Sequence, residues 1–247
     1  MLEKTFCHVK GITIDFERML WERDIRHWDD FLAKESGLDI LPRKKLDKIK
    51  VELPISRQAF QQKNLRYFQD MLNPKEHWRL VELGKIGFVD IETTGLSKVA
   101  DEITVIGIYD GIRSHQYVYG KNLLDAKAKL KEFDIVVSFN GKQFDIPFIE
   151  HHFSCTYTFA HLDLRYMFNE FGFRGGLKSI ERQLGIGRDS SVDGIDGFEA
   201  VNLWYRYKRG NMEALQKLLK YNEQDIVNLH ALLKYYLKIK KEKLLGV

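Results

Sequence analysis

The chain has 247 residues, 44% of them apolar and 30% charged, with only 4 prolines. That composition excludes a disordered or fibrous chain and leaves room for one substantial core with a smaller appendage. The net charge of +4 permits a polyanionic partner without requiring one, and no apolar run approaches the ~20 residues needed to span a bilayer.

The first residues, with Glu3 acidic at once and no apolar stretch ending in small residues, do not read as a secretory signal, so the expected compartment is the cytoplasm. Cys7 and Cys155 belong to no CxxC or Cys/His cluster, which argues against a disulfide framework or a zinc site and predicts plain buried thiols. Residues 43–50 form a basic run, and Lys238, Lys240, Lys241 and Lys243 form a second cluster. Both read first as solvated faces, with nucleic-acid contact as the alternative.

Up to about residue 84 the pattern predicts short helices and no strand: 13–23, 28–34, 56–72 with Ser56 as N-cap, and 74–83 with Asn73 as cap and Pro74 in the first turn. Strands follow at 86–91, 103–109 and 116–119, with turn signals at Gly95, Asp110-Gly111 and Gly120, which predicts a three-stranded meander. Next come a helix over 123–133, a buried strand over 134–139, a helix over 144–152, a strand over 157–162 and a helix over 164–171 capped by Asp163. A helix over 177–184 stops at Gly185, a Gly-, Ser- and Asp-rich segment over 185–197 reads as a mobile loop, and a long amphipathic helix runs from 211 to 240. Strands interleaved with helices predict an α/β fold, a mixed sheet covered by helices, over 76–247, with a small helical region over 1–75.

Three places carry chemistry. Asp90 and Glu92 bracket Ile91 on a strand, so their side chains share one face of it. Their charges continue an apolar strand, where unpaired carboxylates are costly. Asp145 lies in Asn140-Gly141-Lys142-Gln143-Phe144-Asp145, which follows a buried strand and opens a helix. Tyr221 and Asp225, four residues apart on a helix, lie one turn from each other. Taken singly, each has a structural explanation: a solvated strand edge, a helix-opening acid and a Tyr–Asp hydrogen bond.

Together, Asp-x-Glu on the first strand, Asn-x-x-x-Phe-Asp after a middle strand and Tyr-x-x-x-Asp on a late helix resemble the three motifs of the DEDD (DnaQ-like) 3′-5′ exonuclease superfamily. The resemblance implies an RNase H-like fold, and Tyr221 points to the tyrosine subgroup, since Lys220 stands where the histidine subgroup carries its base. Trp78-Arg79-Leu80 and Gly176-Leu177-Lys178-Ser179-Ile180-Glu181 further resemble the YprB-type predicted exonucleases. Similarity extends well over about 75–240 and weakly before it.

Four carboxylates folded into one cavity would repel and hold protons unless cations compensate, and hard divalent ions with oxygen ligands answer that need. The resemblance implies two such ions, Mg2+ or Mn2+. Asp90 would bridge both, Glu92 and Asp225 would hold the ion carrying the attacking water, and Asp145 would act on the second ion through water. Tyr221 would orient the water, because an ordinary phenol is a poor base near neutral pH. The family also implies terminal-nucleotide contacts from Thr93, Thr94 and Gly95 and an apolar wedge at Leu96. Asn140 would fix its loop or touch the scissile strand. Lys178 is a candidate phosphate contact whose simpler reading is an exposed helix lysine.

The expected partner is nucleic acid, a single strand or 3′ end, with DNA favoured over RNA and no membrane. Two alternatives stand beside this expectation: a binding protein of the same fold without turnover, and a nuclease that cuts internally or acts on RNA. Residues 6–13 followed by a helix resemble a helix-hairpin-helix element, except that Thr13 stands where the tight hairpin carries its second glycine.

Overall fold

In the computed structural model, which describes residues 2–34, 38 and 41–245, contacts divide the chain into two units, Met1–Gly84 and Lys85–Val247. The first is helical, with α1 Ile14–Trp21, α2 Trp28–Ala33, α3 Arg43–Gln61, α4 Leu65–Met71 and a 3-10 segment Pro74–Glu82. Thr13, Asn64 and Asn73 each accept a backbone N–H at the start of the helix that follows them.

The helix expected over 56–72 is two helices instead. α3 already starts at Arg43 and runs through Pro54, because Leu46, Ile49 and Leu53 bury one side of it. Ser56 is not an N-cap; it is buried in mid-helix, and its hydroxyl donates to the Glu52 carbonyl at 2.9 Å. The chain then turns at Lys63, with φ 53°, before α4. The basic run is therefore the opening of α3, with the Lys45 ammonium 4.6 Å from the Phe16 ring. Before α1, a 3-10 turn at Leu2–Lys4 and further turns lead to Gly11 at φ 89°, so the hairpin there has a helix on one side only. The unit's core encloses a fully buried pair, Arg79 to Glu17 at 2.7 Å. Glu17 also accepts from Thr5 at 2.5 Å and from the Phe6 N–H at 2.7 Å, which satisfies the carboxylate.

The second unit runs β1 Ile86–Thr93, β2 Ile103–Tyr109, β3 Ser114–Val118, α5 Asp125–Leu130, β4 Ile135–Ser138, α6 Asp145–Phe153, β5 Ala160–Asp163, α7 Leu164–Asn169, α8 Leu177–Leu184, α9 Gly197–Lys208 and α10 Met212–Leu245. Its sheet has the order β3-β2-β1-β4-β5. The first three strands form the antiparallel meander, and β4 and β5 continue it in parallel. Val89, Ile91, Ile106 and Ile108 pack with α5 and α6 residues such as Leu130 and Phe148. Val105 and Val118 belong to a second core with Leu203 and Trp204 of α9 and Leu215 and Leu218 of α10. Helices thus cover both faces.

Four local expectations change. α9 has no counterpart among the predicted elements. The segment over 185–197 is tied down by a 3-10 turn, Ser190–Val192, and by buried Val192 and Ile195. Lys240 is not a solvated tail residue but is buried, 2.5 Å from Glu170. Cys7 and Cys155 are free thiols, each only partly buried. Among the described residues no helix is long and apolar enough to cross a membrane.

Candidate active site

Alternation along β1 sends Val89 and Ile91 into the α5/α6 core, so Asp90 and Glu92 face the α10 side. Asp90 pairs across β2 with Gly107, and Glu92 pairs with Val105, after which the register shifts. From α10, the Asn222 amide donates to Asp90 Oδ2 at 3.0 Å. Asn222 is itself approached by the Gln116 amide, which donates to the Leu219 carbonyl at 2.6 Å and to Asn222 Oδ1 at 3.4 Å. Asp225, one turn farther along α10, completes a cluster in which carboxylate oxygens of Asp90, Glu92 and Asp225 lie within 4.8 Å of one another.

Burial first, and then the neighbouring Asp225 charge, raise Asp90 and Glu92 well above the usual carboxylate range, while the Asn222 hydrogen bond works in the opposite direction. Asp225 is raised by burial against the lowering effect of Arg188. Glu92 Oε1 is buried without a hydrogen-bond partner. A tight set of oxygen donors, one of them orphaned, fits a hard divalent cation such as Mg2+ or Mn2+.

Asp145 stands apart from this trio. β1 pairs with β4 only through Phe88, and farther along Asp145, the first residue of α6, accepts the Ile91 N–H at 3.1 Å. Burial pushes its carboxyl up to about 7. A Cβ on Gly141 would collide with the Ser138 side chain and come 3.2 Å from Asp145 Oδ2. Asn140 adopts φ 65°. Asp163 holds that turn, accepting from the Asn140 and Lys142 N–H groups at 2.8 and 3.0 Å while also capping α7 through the Arg165 N–H at 3.1 Å. The Asn140 side chain accepts from the Arg165 guanidinium at 2.8 Å.

Beyond β1, the Thr93 hydroxyl donates to the Gly95 carbonyl at 2.6 Å, and the Thr94 hydroxyl donates to Asp101 at 3.3 Å and accepts the Glu102 N–H at 2.9 Å. A Cβ on Gly95 would meet the Asp101 carboxylate at 2.5 Å. Leu96 is 87% exposed. Lys178 is not the exposed lysine its sequence setting suggests: it is half-buried on α8, with its ammonium 4.6 Å from the Tyr221 ring centroid. Tyr221 is buried, and its hydroxyl is pushed far up by burial and then by Asp225, Glu92 and Asp90, so it stays protonated.

Arg188, Asn222 and Asn228 are the residues of the site that escape sequence reasoning. Arg188 donates to Glu181 through Nε at 2.5 Å and Nη2 at 2.8 Å, and Nη2 also donates to Asp225. Asn228 donates to the same Glu181 carboxylate at 2.9 Å. Lys220 pairs with Asp189 at 2.9 Å. Asn222 is adjacent to Tyr221 and was within reach of the motif, whereas nothing local marks Arg188.

A family model described as the RNase H superfamily matches residues 87–237, more than half of the chain and all of the acids above. The uncharacterized protein MJ0365 of Methanocaldococcus jannaschii is 27% identical over 155 residues, 56% of this chain and 87% of that protein. The family B DNA polymerase of Pyrobaculum calidifontis superposes on 64% of this chain with a TM-score of 0.50 and 14% identity. The match spans 24% of the polymerase, about a quarter of its length. Brucella melitensis NrnC with bound Mg2+ covers 64% of this chain and 74% of its own, at 21% identity and a TM-score of 0.46.

Proposed function

The chain belongs to the RNase H superfamily, whose α/β fold its mixed five-stranded sheet and helices form, and on that premise we propose that it is a metal-dependent 3′-5′ exonuclease. In this reading it is of the DEDD type, tyrosine subgroup, near the YprB-type proteins, and it hydrolyses phosphodiester bonds of single-stranded nucleic acid, DNA foremost, in the cytoplasm. The observation that carries the reading is the meeting of Asp90, Glu92 and Asp225 oxygens within 4.8 Å, from a strand and a helix remote in sequence.

Asp90, Glu92 and Asp225 would hold Mg2+ or Mn2+ directly, with Asp145 acting through water because one of its oxygens already accepts the Ile91 N–H. When bound, two such ions polarise the phosphodiester and make water nucleophilic at neutral pH. The chain's own groups do the rest. Tyr221, protonated, orients the attacking water as a hydrogen-bond partner. Thr93 and Thr94 spend their hydroxyls inside the loop, so nucleotide contact there falls to the backbone through Gly95, with Leu96 against the base. Asn140 positions the loop that carries Asp145, and Lys178 offers a cation beside Tyr221. A frayed end with separated bases suits such a site better than a duplex. The exonuclease domain in this reading is the unit Lys85–Val247, which starts nine residues later than the 76–247 expected from sequence, and the helical unit Met1–Gly84 is an appendage.

Digestion of 3′-labelled and 5′-labelled DNA and RNA oligomers with Mg2+ or Mn2+ tests the proposal. A ladder shortened progressively from the 3′ end is expected. Intact oligomer at high enzyme concentration, or circular single strands cut as fast as linear ones, would overturn it.

A further inference from the structure

Arg188 contributes a positive charge to the carboxylate trio without belonging to any of the motifs. Its guanidinium is nine-tenths buried, holds Glu181 by a two-nitrogen fork at 2.5 and 2.8 Å, and shares Nη2 between Glu181 and Asp225. A guanidinium does not titrate in the working pH range, so it cannot release Asp225 by losing a proton; it can only move aside. The remaining nitrogen, Nη1, is buried without a hydrogen-bond partner, an uncommon state for a charged donor in a protein interior. Glu181 Oε1, which accepts from Nη2, also accepts from the Asn228 amide at 2.9 Å, so the fork has a fixed base on α8. The cavity beside it, of about 430 Å³, is lined by Lys178, Arg182 and Arg188 along with Glu181, Asp193 and Asp196.

We propose that Arg188 is a dual-purpose cation of the active site: it neutralises Asp225 in the metal-free protein, yields that carboxylate to a divalent ion, and then turns its free nitrogens to a phosphate of the nucleic-acid strand. This rests on the metal-centre reading above. A divalent ion on Asp225 removes one hydrogen bond from Nη2 and leaves the Glu181 fork intact. The guanidinium then lies next to another cation, a repulsion that a bridging phosphate relieves, and its planar donors suit two phosphate oxygens. A site mostly held by its internal cation binds metal more weakly by the fraction of time it stands open.

The test uses the full chain and two variants, Arg188→Ala and Arg188→Lys. Mn2+ affinity is read by loss of the free-ion paramagnetic resonance signal, and affinity for an oligothymidylate is read at saturating Ca2+. The lysine variant retains the charge but cannot hold Glu181 by a fork and reach Asp225 together. Both variants are expected to bind Mn2+ at least about ten-fold more tightly than the unaltered chain, the effect of removing a competitor that closes the site about nine times in ten. Both should bind the oligomer at least about ten-fold more weakly, the loss expected for a charge-assisted phosphate contact. Should the alanine variant fail to fold, the lysine variant carries the test alone. Mn2+ affinity unchanged or weakened overturns the displacement role, as does a lysine variant that binds Mn2+ like the unaltered chain. Oligomer affinity unchanged overturns the phosphate role. If the unaltered chain binds no Mn2+ at all, the metal-centre reading itself fails, a result distinct from these.

Discussion

Asn222 donates to the Asp90 carboxylate at 3.0 Å through the space left by Gly107, the residue paired with Asp90 on the neighbouring strand. A Cβ on Gly107 would run into the Asn222 amide. The glycine therefore lets a helix side chain come down onto the sheet and hold Asp90.

Gly107→Ala follows directly. In a strand, exchanging glycine for alanine normally stabilises by reducing unfolded-state freedom, by about 0.4–1 kcal/mol. Here overpacking against Asn222 reverses the sign, with an expected loss of about 1–3 kcal/mol. Turnover should fall at least about ten-fold, since misplacing a reacting group by about an ångström costs that much or more. Urea unfolding and oligomer digestion check both figures; a more stable, fully active variant would remove the role given to this gap.

Asp90→Asn should raise the melting temperature of the metal-free protein while abolishing turnover. Asp90 and Glu92 are both held well above their ordinary range, first by burial and then by the charge of Asp225. A carboxyl whose folded pKa is raised favours the fold at low pH and loses that contribution as pH rises through the folded value. The advantage of the asparagine variant is therefore largest above neutral pH and shrinks as pH falls toward the ordinary carboxylate range near ~4. Melting curves at pH 5 and pH 8 in a chelator measure it, and an advantage that grows on acidification contradicts the crowded-carboxylate account.

Tyr221→Phe removes a hydroxyl that burial and three carboxylates keep protonated. It should reduce turnover by about ten- to a thousand-fold, the range for a positioned proton-transfer or orienting group. Mn2+ affinity should be unchanged, because a phenol that stays protonated is a poor ligand for a hard divalent ion beside three carboxylates. Undiminished turnover would remove Tyr221 from the mechanism.

Asp163→Ala tests the loop that carries Asp145. Three backbone N–H groups, those of Asn140, Lys142 and Arg165, lose their acceptor, at about 1–3 kcal/mol for each buried donor left unsatisfied and less for one that water can reach. Urea unfolding should show the loss, and turnover should fall with it as Asp145 loses its support. A variant of unchanged stability would mean that the turn at Asn140 holds without its anchor.

Much of this arrangement was legible in the sequence because it is local. A two-residue spacing on a strand fixes that Asp90 and Glu92 share a face, four residues on a helix fix Tyr221 against Asp225, and the meander follows from its turn signals. What escaped depends on distant packing. Gly107 matters only because β2 pairs in one register with β1 while α10 crosses above it, and Arg188 matters only because its segment folds back onto Glu181 and Asp225. α3 is expected only from Ser56, because a serine ahead of an apolar-periodic run reads as an N-cap, although burial of Leu46, Ile49 and Leu53 carries the helix from Arg43 through Pro54. Lys178 read as exposed because helix position alone cannot reveal that the ring of Tyr221 lies beneath it.

The most direct test of the account is a crystal soaked in Mn2+ and measured for anomalous scattering from manganese. The account predicts a peak among the oxygens of Asp90, Glu92 and Asp225, with the Arg188 guanidinium withdrawn from Asp225. A cluster free of anomalous density at saturating Mn2+, with Arg188 still on Asp225, would contradict it.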